Sequence, residues 1–376
     1  MGRNLVRRLM PGVVVVVLMG LESCGTAWRP GGDPSNVAVG SLSEGFPIGL
    51  LLPDTRTPRY EKFDRPYIVR QVAALCPKCE VVYGNAGGDP QRQSRQLASM
   101  LSAGVKVLIL DAVDPKGVSD WVALAKNQGA RVVAYDRLAG GPVDAYTSFD
   151  NIQAGRMQGR SLLDAIRIGG DLRRGEIVMV NGSPADQHAG DLKKGAHQVL
   201  DGQVTIGREY DAPGWSPARA GEAVHGAFTA LGPDRVIGVY AASDAMAGGI
   251  ATILRNAGAT PGTPLTGRGA ELEALRRILL GAQTMTVYLP IRSVARSAAR
   301  IAVDLGVGRT VSGTTTLSNG TVASIPATMI APVVVDRGTI KDTVVKDGYW
   351  TATEICAPPH LRTACLAAGL TQRAGG

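Results

Sequence analysis

Residues 105–137 read VKVLILDAVDPKGVSDWVALAKNQGARVVAYDR, and their pattern decides the fold. VKVLILDAV and ARVVAYDR are short, continuous apolar runs of the kind that make strands buried on both faces. Between them PKGVSDWVALAKNQG reads as a helix, closed by Gly129. A buried strand, a helix and a second buried strand make one unit of a parallel sheet. The second strand ends on an acid beside a base, Asp136 and Arg137. Either they form a surface ion pair, or the strand delivers an acceptor and a donor side by side to a ligand.

The same rhythm extends in both directions. Upstream lie the strand FPIGLLLP, a helix within RYEKFDRPYIVRQVAAL with Pro66 at its start or kinking it, the strand EVVYGNA and the helix PQRQSRQLASMLSAG. Downstream, after AYTSFDN, come a helix from Ile152 to Ile166, the strand GEIVMVNGS, a helix through GDLKKGAHQVL and the strand VTIGREYDA. A helix from Pro217 to Leu231, the strand RVIGVYAAS, a helix through AMAGGIATILRNAG, a short strand near PLTGRG, the helix AELEALRRILLGA and the strand QTMTVYLP complete the series. The fold class is therefore α/β, with two doubly wound parallel sheets in tandem. Ligands of such sheets bind at the carboxyl ends of strands, and two sheets facing one another make a cleft.

Bulk properties agree. A chain of 376 residues suits two domains of ordinary size, and 45% hydrophobic with 19% charged residues suits a globular body. The N-terminus differs: basic MGRNLVRR, then apolar LMPGVVVVVLMGL, then LESC, so residues 1–23 read as a signal peptide. Cys24, following Leu21 and Ser23, stands as in a bacterial lipobox and would be the lipidated first residue; the alternative is an ordinary signal peptide cut elsewhere. Residues 24–45, rich in Gly, Pro and Ser, read as a flexible tether. The formal charge of +8 falls to +6 without the signal, because Arg3, Arg7 and Arg8 leave with Glu22. The remaining charge is scattered, with no basic run, which argues against nucleic-acid binding. Outside the cytoplasm, Cys76 with Cys79 and Cys356 with Cys365 read as two local disulfides, since no His lies at ligand spacing from CPKC.

No hydrolase nucleophile elbow, HExxH zinc motif or phosphate loop occurs, and the four histidines, 188, 197, 225 and 360, show no metal spacing. Neither a cofactor nor catalysis is expected. The enzyme alternative casts Asp136 and Asp244 as a glycosidase pair across the cleft. The strand ends instead offer a set suited to a sugar, whose hydroxyls donate and accept and whose C–H face packs on an aromatic ring. The candidates are Arg56, Arg59, Asp136, Arg137, Asp186, Trp215 and Asp244.

The stretches VVAYDR, YTSFDN, NGSPAD, GWSPARA, SDAMAGG, GAQTMTVYLPI, TTLSNG, IPATMIAPVVVD and IKDTVVKDGY, in this order, resemble the type I periplasmic binding proteins, and among them the xylose-binding members that serve ABC importers. The resemblance spans residues 46–350 and implies two lobes joined by three hinge crossovers, near Asn151, Val287 and Met329. The N-terminal lobe would comprise 46–151 plus 288–328, the C-terminal lobe 152–287 plus 329–350, and residues 351–376 a tail pinned by a disulfide. Sugar-repressor proteins of similar core carry a helix-turn-helix where this chain has a signal and tether. Carried over by position, the resemblance adds Tyr60, His188 and Ser243 to the ligand-binding set. It also exposes departures: Gly267-Arg268-Gly269 stands for Gly-Gln-Asp, Leu289 for a lysine, and Ser243 for an asparagine. The expected role is a lipid-anchored, monomeric solute-binding protein that captures a monosaccharide for an ABC permease. The alternative role is a sensor presenting its closed form to a membrane receptor or kinase.

Overall fold

In the computed structural model, residues 37–55, 57, 59–256 and 262–371 are described. The signal segment, Cys24, most of the tether and Arg56 lie outside the described residues. The first elements are β1 (Pro47–Leu52), α1 (Arg65–Leu75), β2 (Glu80–Asn85), α2 (Pro90–Ser102), β3 (Val107–Leu110), α3 (Ser119–Asn127), β4 (Arg131–Tyr135) and β5 (Ala145–Phe149). Next come α4 (Asn151–Gly169), β6 (Glu176–Asn181), α5 (Gln187–Leu200), β7 (Thr205–Asp211), α6 (Pro217–Leu231), β8 (Val236–Ala241), α7 (Asp244–Asn256), α8 (Leu272–Leu280) and β9 (Thr286–Tyr288). The chain continues through α9 (Ile291–Gly306), β10 (Thr315–Leu317), β11 (Ile325–Ile330), β12 (Val333–Val335), α10 (Ala352–Cys356) and α11 (Arg362–Ala367).

The first sheet has the order β10-β11-β5-β4-β3-β1-β2 and is parallel except for β10. β3, β4 and β5 are buried at every residue, which is why their sequences lack the alternation of a half-exposed strand. β5, the AYTSF of AYTSFDN, is a strand to which the sequence reading assigned no element.

The second sheet has the order β7-β6-β8. Beyond β8 the expected strand near PLTGRG is reduced to two isolated bridges, Val239 to Leu265 and Arg268 to Val287. Its residues explain the difference: Pro264 lacks an N–H, while Gly269 and Ala270 take φ of 127° and 51°, outside strand geometry. β9 then pairs antiparallel with β12.

The chain passes between the two groups of elements three times: from β5 to α4, which packs on α5 and β8; from β9 to α9, which packs on α1, β3, β4 and β5; and from β11 to β12. Pro66 sits in the first turn of α1, directly after a π-helical turn that runs into it without a break. That turn, over Tyr60–Asp64, carries Phe63 to 4.3 Å from the ring of Tyr349 and 5.5 Å from Trp350. Trp350 Nε1 donates to Ala270 O at 2.8 Å, so this aromatic seam joins α1 to the segment leading into α8.

The C-terminal residues pack on α8: Arg276 donates to the carbonyls of Glu354 and Ile355, at 2.7 and 3.2 Å, and Ile355, Leu361 and Cys365 are fully buried. Disulfides join Cys76 to Cys79 and Cys356 to Cys365. Among the described residues no helix is long and apolar enough to cross a membrane.

Candidate functional site

In the first sheet β1 lies between β2 and β3, so the chain steps outward from β1 to β2 and then returns past β1 to β3, and the strand ends part at this reversal. Four charged residues gather at this point. Arg59 follows β1, Asp111 follows β3, and Asp136 and Arg137 follow β4.

Asp136 has φ 58°, in the left-handed region that only short polar residues tolerate readily. Three hydrogen bonds to β5 hold it there. Its N–H donates to Thr147 O at 3.0 Å, and its carbonyl accepts from the hydroxyls of Tyr146 and Ser148, both at 2.7 Å. The turn carries the carboxylate off the strand line and against Arg59, whose Nη2 stands 3.2 Å from Asp136 Oδ2 and 3.0 Å from Asp64 Oδ1. Tyr135 also donates to Asp64. Burial opposes the charged form of Asp136, yet Arg59, His188, Arg137 and Arg268 together hold its carboxyl below the ordinary value. Its Oδ1 is buried and accepts from nothing.

Asp111 follows the opposite course. Its carboxylate is fully buried, neither oxygen has a hydrogen-bond partner, and Arg137 Nε is 4.0 Å away. Burial, with the nearby charge of Asp136, pushes this carboxyl well above its usual range against the pull of Arg137. Arg137 itself donates from Nη1 to Ala112 O at 3.1 Å, which fixes its guanidinium at the strand ends.

The second sheet supplies the facing wall. Asp186 caps α5 by accepting from His188 N at 2.9 Å, and its Oδ2 accepts from Trp215 Nε1 at 3.2 Å. The indole is pinned from below as well: a Cβ on Gly182 would meet it at 2.3 Å, which explains the glycine of NGSPAD. Arg268, bridged to β9 at Val287, donates from Nη2 to Asn151 Oδ1 at 2.7 Å, linking that segment to the first turn of α4.

A cavity of about 540 Å³ lies between these walls, lined by Arg137, Tyr146, Phe149 and Asn151 on one side and by Asp186, His188 and Trp215 on the other. A monosaccharide fits a space of this size. Arg59 and Asp136 sit behind the cavity wall, and Tyr60 is buried with its hydroxyl 3.5 Å from Asp136 Oδ2 and its ring 5.0 Å from the Arg59 guanidinium.

Two candidates stand elsewhere. Asp244 is fully buried, and its carboxylate accepts from Gln283 Nε2 and Thr286 Oγ1, both at 2.8 Å, and from Glu271 N at 3.0 Å. With those partners it braces the loop before α8, fully buried and outside the cavity lining. Ser243 turns its hydroxyl back to accept from Met246 N at 3.3 Å, at the start of α7. Leu289 is buried in the apolar core. Asp64, Asp111, Tyr146, Phe149 and Asn151 were not nominated by the sequence reading, and Arg268 was noted only as a departure from the family pattern. Asp111 alone had a visible signal, because it ends VLIL as Asp136 ends VVAY. Among the described residues no cluster of His, Cys, Asp and Glu is arranged to hold a metal ion.

The family model for the periplasmic binding protein domain matches residues 48–310. The chain belongs to this family. A D-xylose-binding periplasmic protein of Escherichia coli is 34% identical to this periplasmic binding protein over 314 residues, covering 82% of this chain and 92% of the relative. A multiple sugar-binding periplasmic protein of Azospirillum brasilense is 32% identical over 327 residues, covering 82% and 90%. Among solved structures, a carbohydrate transporter solute-binding protein from Chloroflexus aurantiacus in complex with D-glucose superposes with a TM-score of 0.72 at 23% identity, covering 82% of this chain and 97% of that one. These are binding proteins, and so is this chain, which is not an enzyme.

Proposed function

We propose that this periplasmic binding protein captures a monosaccharide, xylose or a related sugar, in the cleft between its two sheets and hands it to an ABC permease outside the cytoplasm. The observation that carries this reading is the unpartnered Oδ1 of Asp136, ionised beside Arg59 and Arg137, directly behind the wall of a cavity lined by Arg137 and the ring of Trp215. A sugar hydroxyl donates to the first, accepts from an arginine, and leaves its C–H face for the indole. Similarity to a D-xylose-binding and a multiple sugar-binding protein supports the same class. Closure joins two lobes, 46–151 plus 288–328 and 152–287 plus 329–350, about the three crossings, and acylated Cys24 holds the protein at the membrane.

Isothermal titration with pentoses, hexoses and polyols is the test. Micromolar or tighter binding of at least one neutral sugar is expected; no heat with any of them overturns the reading. Anchoring is read separately, by release of a Cys24→Ser variant into the soluble fraction.

A further inference from the structure

We infer that Arg268 is a specificity-determining residue, donating from Nε to a ligand hydroxyl that in turn donates to Oδ1 of Asp136. This rests on the monosaccharide reading and goes beyond it, because it names the hydroxyl's two partners and the ligand's charge.

Arg268 is placed by its backbone. It bridges to Val287, its carbonyl accepts from Asp244 N at 3.0 Å, and Gly269 N donates to Val287 O at 2.8 Å. The side chain then reaches Asn151, which lines the cavity. Only Nη2 is engaged there; Nε is buried and donates to nothing. The other two guanidinium groups of the site have carboxylates within 4.0 Å, Asp64 and Asp136 for Arg59 and Asp111 for Arg137. Among the described residues no such ion pair is formed by Arg268. Arg268 as a whole is only half-buried, but its buried Nε has no acceptor and stays incomplete until a ligand supplies one.

The complementary orphan is Asp136 Oδ1, and each group feels the other's charge. One lacks an acceptor and the other a donor, and a hydroxyl is both. A ligand carboxylate is the wrong complement, because it would set two acceptors against each other at an ionised Asp136. The site therefore selects a neutral polyhydroxy ligand. Since Asn151 opens α4 directly after the β5 crossing, the bridging hydroxyl joins the two walls close to a point where the chain passes between them.

The test uses the mature protein and whichever neutral sugar of the titration panel binds, with its monodeoxy analogues and its uronic acid. Wild type is expected to lose about 10- to 100-fold in affinity for one monodeoxy analogue, and to bind the uronic acid at least about tenfold more weakly than the parent. Arg268→Gln should weaken the parent sugar to the level of that analogue and abolish the discrimination between them. Arg268→Lys, which keeps the charge but moves the donor, should do the same. Circular dichroism melts establish that each variant is folded; should neither fold, the uronic acid comparison on wild type decides. Discrimination that survives in either folded variant, or a uronic acid that binds as well as the parent, overturns the role of Arg268 and leaves the monosaccharide reading intact. If wild type binds no sugar, both fall.

Discussion

Arg59 Nη2 stands 3.2 Å from Asp136 Oδ2 and only 3.0 Å from Asp64 Oδ1, so one guanidinium bridges two carboxylates, both of them buried. Removing it leaves two negative charges facing each other without water. Arg59→Met is expected to destabilise the protein by about 3–5 kcal/mol, the cost of stranding a buried charge. Urea unfolding measures this, and Arg59→Met combined with Asp64→Asn should recover part of the loss. A single variant as stable as wild type would show that the triad is not closed in solution.

Asp111 predicts a pH dependence of known sign. Its folded carboxyl titrates well above the ordinary value, because burial dominates and Arg137 compensates only in part. A raised folded value means that the native state binds the proton more tightly than the unfolded chain does. The resulting stabilisation is full below the unfolded value of about 3.9 and is lost as pH rises through the folded value. Asp111→Asn should therefore be more stable than wild type at pH 7, the difference closing as pH falls toward about 4. Melting curves of the pair across that range check the sign.

Asp136 runs the other way. Its folded value is depressed, so its charge persists below the ordinary carboxyl range, while the stability it contributes is full above the unfolded value of about 3.9 and is lost as pH falls from there through the folded value. Sugar affinity should stay level as pH falls from 7 to about 5. Asp136→Asn should lower affinity about 10- to 100-fold at pH 7, measured by titration calorimetry.

Trp215 is held by Asp186 from one side and by the bare backbone of Gly182 from below. Sugar binding should change tryptophan emission, and Trp215→Phe should remove that change. Gly182→Ala, whose new methyl would lie 2.3 Å from the indole, should displace the ring and weaken binding about tenfold or more while the protein stays folded.

The two disulfides line no part of the cavity. In the chain-entropy model, closing loops this short stabilises by about 2 kcal/mol for Cys76–Cys79 and about 3 kcal/mol for Cys356–Cys365. Replacing either pair by serine should lower the denaturant midpoint accordingly and leave sugar affinity unchanged.

The periodicity of VLIL, VVAY and the helices between them determined the α/β architecture, because a strand buried on both faces and a helix with one apolar face have patterns that local sequence carries. The pair Asp136-Arg137 was legible for the same reason: a charge at the end of a buried strand has few places to go. What each charge meets was decided by tertiary structure. Asp244 opens a helix after a strand much as Asp186 caps one, yet Gln283, Thr286 and the Glu271 amide close around its carboxylate, and no local pattern distinguishes the two. Arg268 and Asn151 are 117 residues apart and meet only because the chain crosses between its sheets beside them. Hydrogen-bond satisfaction in a buried site depends on every neighbour at once, so the site's chemistry belongs to the fold, while the fold itself was written in the strands.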